Sequence, residues 1–157
     1  DPGYRRFLSR LSSPLSQRLA PGSRGLDFGC GPGPALAAVL RESGFEVNTY
    51  DIFYQPERSV LSGQYDFITA TEVLEHLSDP RAELQQLWQL LRPGGLLGLM
   101  TKLVINQQRF ASWHYINDPT HITFFSRNSL GWLAEALGAQ LEILGQDVAI
   151  LHKKIAL

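Results

Sequence analysis

The sequence holds a single cysteine, no long apolar run and no excess of charge of either sign, and each shortage excludes something. Cys30 has no second cysteine with which to form an internal disulfide, which points to a reducing, cytoplasmic compartment. The longest apolar stretch, Leu96 to Met100, is the size of a strand. It falls far short of the roughly 18–20 residues that cross a bilayer, so no membrane span is expected. Lys and Arg number 14 against 15 Asp and Glu, a net charge of −1, and the basic residues are scattered. No basic stripe is present to follow a phosphate backbone, so a nucleic-acid partner is not expected; a small charged substrate is still allowed. No leader segment is visible. The chain opens at Asp1-Pro2-Gly3 without a methionine, which reads as a cut inside a longer polypeptide, so that absence carries little weight.

What remains is an ordinary globular composition, 44% hydrophobic and 18% charged over 157 residues, enough for one domain around one sizeable core. Tyr4 to Leu19 has a helical spacing of apolar residues that Pro14 is expected to break or kink. Arg24 to Phe28 reads as a strand, Ala35 to Arg41 as a helix closed by Gly44, and Phe45 to Tyr50 as a second strand. Tyr65 to Ala70 is a third, with a weak strand expected at Ser59 to Leu61 before it. Asp79-Pro80 starts a helix: the carboxylate caps free amides and the proline presets the first turn. That helix lines up Leu84, Leu87, Trp88 and Leu91 and is expected to stop at Pro93-Gly94-Gly95, ahead of a buried strand from Leu96 to Lys102. An aromatic and polar loop covers Val104 to Phe125, and Ser126 caps a last helix that Gly138 ends. Gln140 to Leu144 and Asp147 to His152 read as a hairpin around Gly145-Gln146. Strands alternating with helices predict an α/β, doubly wound, mostly parallel sheet with a C-terminal antiparallel hairpin.

The segment Leu26-Asp27-Phe28-Gly29-Cys30-Gly31-Pro32-Gly33-Pro34 joins the first strand to a helix, where open α/β sheets bind nucleotide cofactors. Glycines at alternate positions let the backbone approach a ligand closely, and the first amides of the helix can meet a carboxylate. Asp51, at the end of the second strand, is placed to accept hydrogen bonds from both hydroxyls of a ribose. The dinucleotide fingerprint needs a glycine where this chain has Pro34; the spacing here is Gly-x-Gly-x-Gly, with an acidic residue two before the first glycine.

That pattern resembles class I S-adenosylmethionine-dependent methyltransferases, in particular the ubiquinone-biosynthesis O-methyltransferase-like group. Tyr65 to His76 looks like the family's fourth strand and following loop, and Leu91-Arg92-Pro93-Gly94-Gly95 like the turn before its fifth. The resemblance implies a Rossmann-like fold: a single methyltransferase domain over 1–157, with an N-terminal helix at 4–19 and the core at 24–157. It implies S-adenosylmethionine as cofactor. Asp27, Gly29 and Gly31, with Cys30 and Gly33 in the same loop, would hold the methionine part, and Asp51 the ribose. Ala70, Thr71 and Glu72 would form the wall beside the sulfonium. The family's third strand, with the acidic residue that often meets the adenine amine, has no room between Ile52 and Gln64, where Glu57 is the only acidic residue. Ile52 and Phe53 are therefore expected to stack on adenine.

Methyl transfer needs an aligned nucleophile and, for some acceptors, a base. The loop Trp113-His114-Tyr115-Ile116-Asn117-Asp118-Pro119-Thr120-His121 is the natural wall for a small-molecule acceptor. Glu72, His76 and His121 are the candidate catalytic groups. Glu75 and His76 alternatively buttress their loop, and His121 is alternatively part of a packed aromatic loop. A metal on His114, Asp118 and His121 matches no strong ligand spacing and is not expected. Two other functions stay open: a non-catalytic domain that binds the same cofactor or serves as a partner subunit, and an NAD-dependent oxidoreductase, against which Pro34 counts.

Overall fold

A computed structural model of the chain describes residues 2–71, 79–100 and 127–155. Helix α1 (Pro2–Arg18) leads into β1 (Arg24–Phe28), α2 (Ala35–Glu42) and β2 (Glu46–Tyr50). A 3-10 turn (Arg58–Ser62) precedes β3 (Tyr65–Thr71), α3 (Pro80–Leu90) and β4 (Leu91–Met100). Then come α4 (Arg127–Leu137), β5 (Gln140–Leu144) and β6 (Val148–His152). The strands form one sheet in the order β2-β1-β3-β4-β6-β5, in which β6 runs opposite to the other five. The expected doubly wound sheet and terminal hairpin are both present.

Each face of the sheet has its own core. Leu8, Leu11 and Leu15 of α1 pack with Leu36, Ala37 and Leu40 of α2 over Val47, Phe67 and Ile150. On the opposite face Leu84, Leu87 and Trp88 of α3 and Leu130, Leu133 and Ala134 of α4 cover Leu26, Ile68, Leu97 and Leu151. The connection from β1 to β2 therefore crosses one face and that from β3 to β4 the other. The chain reverses its direction of winding between β1 and β3, the kind of switch point beside which open α/β sheets bind their ligands.

Four local expectations need correction. Of the break or kink expected at Pro14, the break is absent: α1 runs through it as one helix. An interior proline costs about 3 kcal/mol, whereas each buried leucine contributes about 1.5–3 kcal/mol, and Leu8, Leu11 and Leu15 are all buried. The segment around Ser59 to Leu61 is a 3-10 turn, not a strand, and the Glu57 side chain caps it by accepting from the Ser59 amide. Among the described residues no strand pairs with β2 on its outer side, and Arg41 occupies that edge by donating to the Val47 carbonyl at 2.6 Å. Pro93-Gly94-Gly95 lies within β4, not between α3 and a later strand. Tyr65 pairs with Leu91 and Phe67 with Leu96, so the β4 backbone bulges there. A side chain at Gly95 would come within 2.8 Å of the Arg92 carbonyl and 3.0 Å of that of Asp66, which explains the glycine. Finally, β6 begins at Val148 and Asp147 belongs to the hairpin turn.

The local signals at helix ends hold. Asp79 Oδ1 accepts from the Ala82 amide at 3.2 Å at the start of α3. At its other end the cation comes from elsewhere in the chain: Lys153 Nζ donates to the carbonyls of Trp88 at 2.7 Å and Leu91 at 2.8 Å. Ser126, the expected cap of α4, and Lys102, the expected end of β4, lie outside the described residues.

Candidate cofactor site

β1 ends in a turn whose shape follows from its glycines. Gly29 and Gly31 both have φ of 73°, a backbone conformation that side chains disfavour. The amides of Gly29 and Cys30 both donate to the Tyr50 carbonyl, at 2.7 and 3.1 Å, which ties the loop to the end of β2. A Cβ built at Gly31 or at Gly33 would meet nothing within 4 Å, so this side of the loop borders open space. The loop has the backbone of a ligand cradle at the carboxyl edge of the parallel strands.

Asp51 sits beside it and is more engaged than a bare strand end. Its Oδ2 accepts from the Gly31 amide at 3.0 Å, and its Oδ1 from the amides of Phe53 at 2.9 Å and Tyr54 at 3.2 Å. Its backbone closes a turn with Gln55, with N–O distances of 3.0 and 2.9 Å. One carboxylate thus holds together the glycine loop and the turn after β2. Immediately beyond it Ile52 and Phe53 stand out at 67% and 82% exposure, with Tyr54 at 55%: three consecutive large apolar side chains uncovered at the rim.

Asp27 is the opposite case, a carboxyl 1% exposed beneath the loop. Its Oδ1 accepts a hydrogen bond from the Thr69 hydroxyl at 2.9 Å. Burial pushes its pKa up to about 7, against the opposing effects of that hydrogen bond and of Arg41. Burial also raises the half-buried Cys30 thiol, to about 11, with Asp27 and Asp51 adding to the shift. At neutral pH Cys30 is a protonated thiol, a small residue in a tight turn and not a nucleophile. Ala70, which pairs with Phe28, is buried near the end of β3, and Thr71 follows it half-buried as the last residue of the strand.

The structure therefore brings Asp27, Gly29, Cys30, Gly31, Gly33, Asp51, Ile52, Phe53, Ala70 and Thr71 to one edge of the sheet. Glu72, Glu75, His76, the loop from Trp113 to His121, and with it His114, Asp118 and His121, lie outside the described residues. Sequence reading missed Thr69. Its signal was the register of two strands, which no local pattern carries.

A methyltransferase domain family matches residues 3–143. This chain belongs to that family. The resemblance to S-adenosylmethionine-dependent methyltransferases is thereby borne out, in sequence and in fold. A ubiquinone biosynthesis O-methyltransferase of Cronobacter sakazakii is 30% identical over 118 residues, which cover 74% of this chain. The match spans 38% of that relative's length. Among solved structures, a SAM-dependent methyltransferase from Aquifex aeolicus superposes with a TM-score of 0.57 at 18% identity, covering 99% of both chains. The Burkholderia thailandensis 1,6-didemethyltoxoflavin-N1-methyltransferase, solved with 1,6-didemethyltoxoflavin and S-adenosylhomocysteine, gives 0.65 at 17% identity, covering 95% of this methyltransferase domain and 78% of that chain. At such identities the likeness of the structures concerns the fold.

Proposed function

We propose that this domain binds S-adenosylmethionine across the carboxyl edge of β1, β2 and β3 and transfers its methyl group to a small-molecule acceptor by direct displacement. The observation that carries the reading is the open-faced Gly29–Gly33 loop tied through Gly31 to the Asp51 carboxylate. In this reading Asp27, Gly29, Cys30, Gly31 and Gly33 hold the methionine part, and Asp51 holds the ribose. Ile52 and Phe53, exposed beside it, cover the adenine in place of the missing third strand. Ala70, Thr71 and Glu72 line the sulfonium. Glu72, His76 and His121 are the candidates for aligning and deprotonating the acceptor. The near-neutral charge and single cysteine support a small acceptor and a cytoplasmic location.

When bound, the cofactor supplies a carbon already activated by the sulfonium, so the protein's share is alignment and, where the acceptor needs it, a base. The test is transfer of a labelled methyl group from S-adenosylmethionine to a panel of small phenols, amines and carboxylates. Transfer to one of them supports the reading. Tight cofactor binding with no transfer to any favours a non-catalytic cofactor-binding domain instead.

A further inference from the structure

One row of the sheet runs directly under the loop. Asp27 of β1 pairs with Thr49 of β2 on one side and with Thr69 of β3 on the other, and Thr69 pairs in turn with Gly98 of β4. Paired residues share a face, here the one covered by α1 and α2. Across Gly98 the space belongs to Leu11 of α1, whose side chain would lie 3.0 Å from any Cβ built there. The row continues through Ile150 of β6 to Glu142 of β5 at the far edge, so of the four residues from Thr49 to Gly98 Asp27 is the ionisable one. The other titratable groups acting there among the described residues are Arg41 of α2 and Cys30 of the loop, itself influenced by Asp51. Arg41 is engaged with the Val47 carbonyl at the sheet edge, so it supplies Asp27 with a distant charge and no hydrogen bond.

Thr69 is completely buried, and among the described residues its hydroxyl makes the only hydrogen bond to the Asp27 carboxyl. An ionised carboxylate only accepts, so a hydroxyl donor opposite it favours the charged form. We propose that Thr69 is a positioning residue for the cofactor, acting through Asp27. Its hydroxyl proton is committed to Oδ1, which fixes the carboxylate plane and favours the ionised form, whose charge acts on the cofactor's ammonium group from beneath the loop. The inference rests on the cofactor reading above. It adds that a residue without contact to the cofactor sets how strongly, and over what pH range, the domain takes it up.

The test is calorimetric titration with S-adenosylhomocysteine, which keeps the ammonium group, from pH 6 to 8. Wild-type affinity should rise with pH across neutrality, and Asp27→Asn should flatten the profile. Thr69→Val, of nearly the same shape, should bind about 5-fold more weakly at pH 7, since a one-unit rise cuts the ionised fraction of a group that titrates at about 7 from one half to about one in eleven. Its profile should be displaced upward by about one pH unit. Thr69→Ser should restore the wild-type curve, and Thr69→Ala repeats the loss if the valine does not fold. A merely structural Thr69 would lower affinity equally at every pH. That outcome, a wild-type profile in Thr69→Val or Thr69→Ala, or a flat wild-type curve would each overturn the proposal. No binding of S-adenosylhomocysteine by wild type at any pH would instead overturn the cofactor reading itself.

Discussion

Arg10 of α1 places its guanidinium 2.8 Å from Oδ2 of Asp147, a carboxylate whose side chain is only 2% exposed in the β5–β6 hairpin turn. The approach lies outside hydrogen-bond geometry, so Oδ2 gains a neighbouring charge without a directed bond. Removing the arginine would leave a buried carboxylate uncompensated. Arg10 is half exposed, so solvent screens part of the effect. Arg10→Ala should therefore destabilise by about 1–3 kcal/mol, on the order of 3–10 °C in Tm. Adding Asp147→Asn should recover part of the loss. Additive effects in the double variant would show that the two residues are not coupled.

Lys153 makes a second prediction about stability. It closes α3 by donating to the Trp88 carbonyl, which also accepts from the Leu91 amide, and to the Leu91 carbonyl just past the helix, and its Nζ lies 5.8 Å from the centre of the Trp88 ring. Lys153→Met keeps the length of the side chain and removes both donors. Denaturant unfolding should show a loss of about 1–2 kcal/mol. An unchanged midpoint would mean that water satisfies those carbonyls equally well.

Two carboxylates give stability a pH dependence of opposite sign. Folding raises Asp27 from 3.8 to about 7, so the folded state keeps a proton that the unfolded chain releases. Its effect is to lower stability as pH rises from about 4 to 7, by an amount on the order of 3–4 kcal/mol. Glu142, hydrogen-bonded by Arg18 and His152, is lowered from 4.5 to about 2. Its contribution is present above about pH 4.5 and is lost as pH falls toward 2. Ligand-free protein should thus be most stable in mildly acidic solution. Asp27→Asn should be more stable than wild type at pH 8, and measured unfolding curves showing the reverse would rule out a buried, strained carboxylate.

The features legible in the sequence were those written in short stretches of chain. Asp79-Pro80, the glycine loop and the Gly145 hairpin each carry their geometry in a few consecutive residues, and all appear where expected. What escaped depended on partners distant in the chain. Pro14 reads as a breaker until the leucines around it are buried against the sheet. The strand character of Leu91 comes from pairing with Tyr65, across the bulge at Gly95. Asp51 was readable as a strand-end acid, but not as the residue that joins two loops. Thr69 gave no sign at all, because its meaning lies in being opposite Asp27.

Asp51 tests the candidate site at one residue. Because its two oxygens already hold the amides of Gly31, Phe53 and Tyr54, Asp51→Ala should loosen the loop as well as remove the proposed ribose contact. Affinity for S-adenosylhomocysteine should fall by about 10- to 150-fold, with a modest drop in Tm. Asp51→Asn, which still accepts through its carbonyl, should lose less. The 2′-deoxy cofactor separates the two roles. The alanine variant should hardly distinguish it from the ribose form, and full discrimination would show that the carboxylate serves the loop alone.

In the proposed reading the Gly29–Gly33 loop and Asp51 receive a sulfonium nucleoside and not a dinucleotide. The most direct measurement compares the melting temperature of the protein alone, with S-adenosylmethionine or S-adenosylhomocysteine, and with NAD. Ligand at about 100 times its dissociation constant adds roughly 2.7 kcal/mol, which for a domain of this size is on the order of 5–10 °C. That shift is expected with either sulfur nucleoside and none with NAD. A shift with NAD and none with the sulfur nucleosides would contradict it.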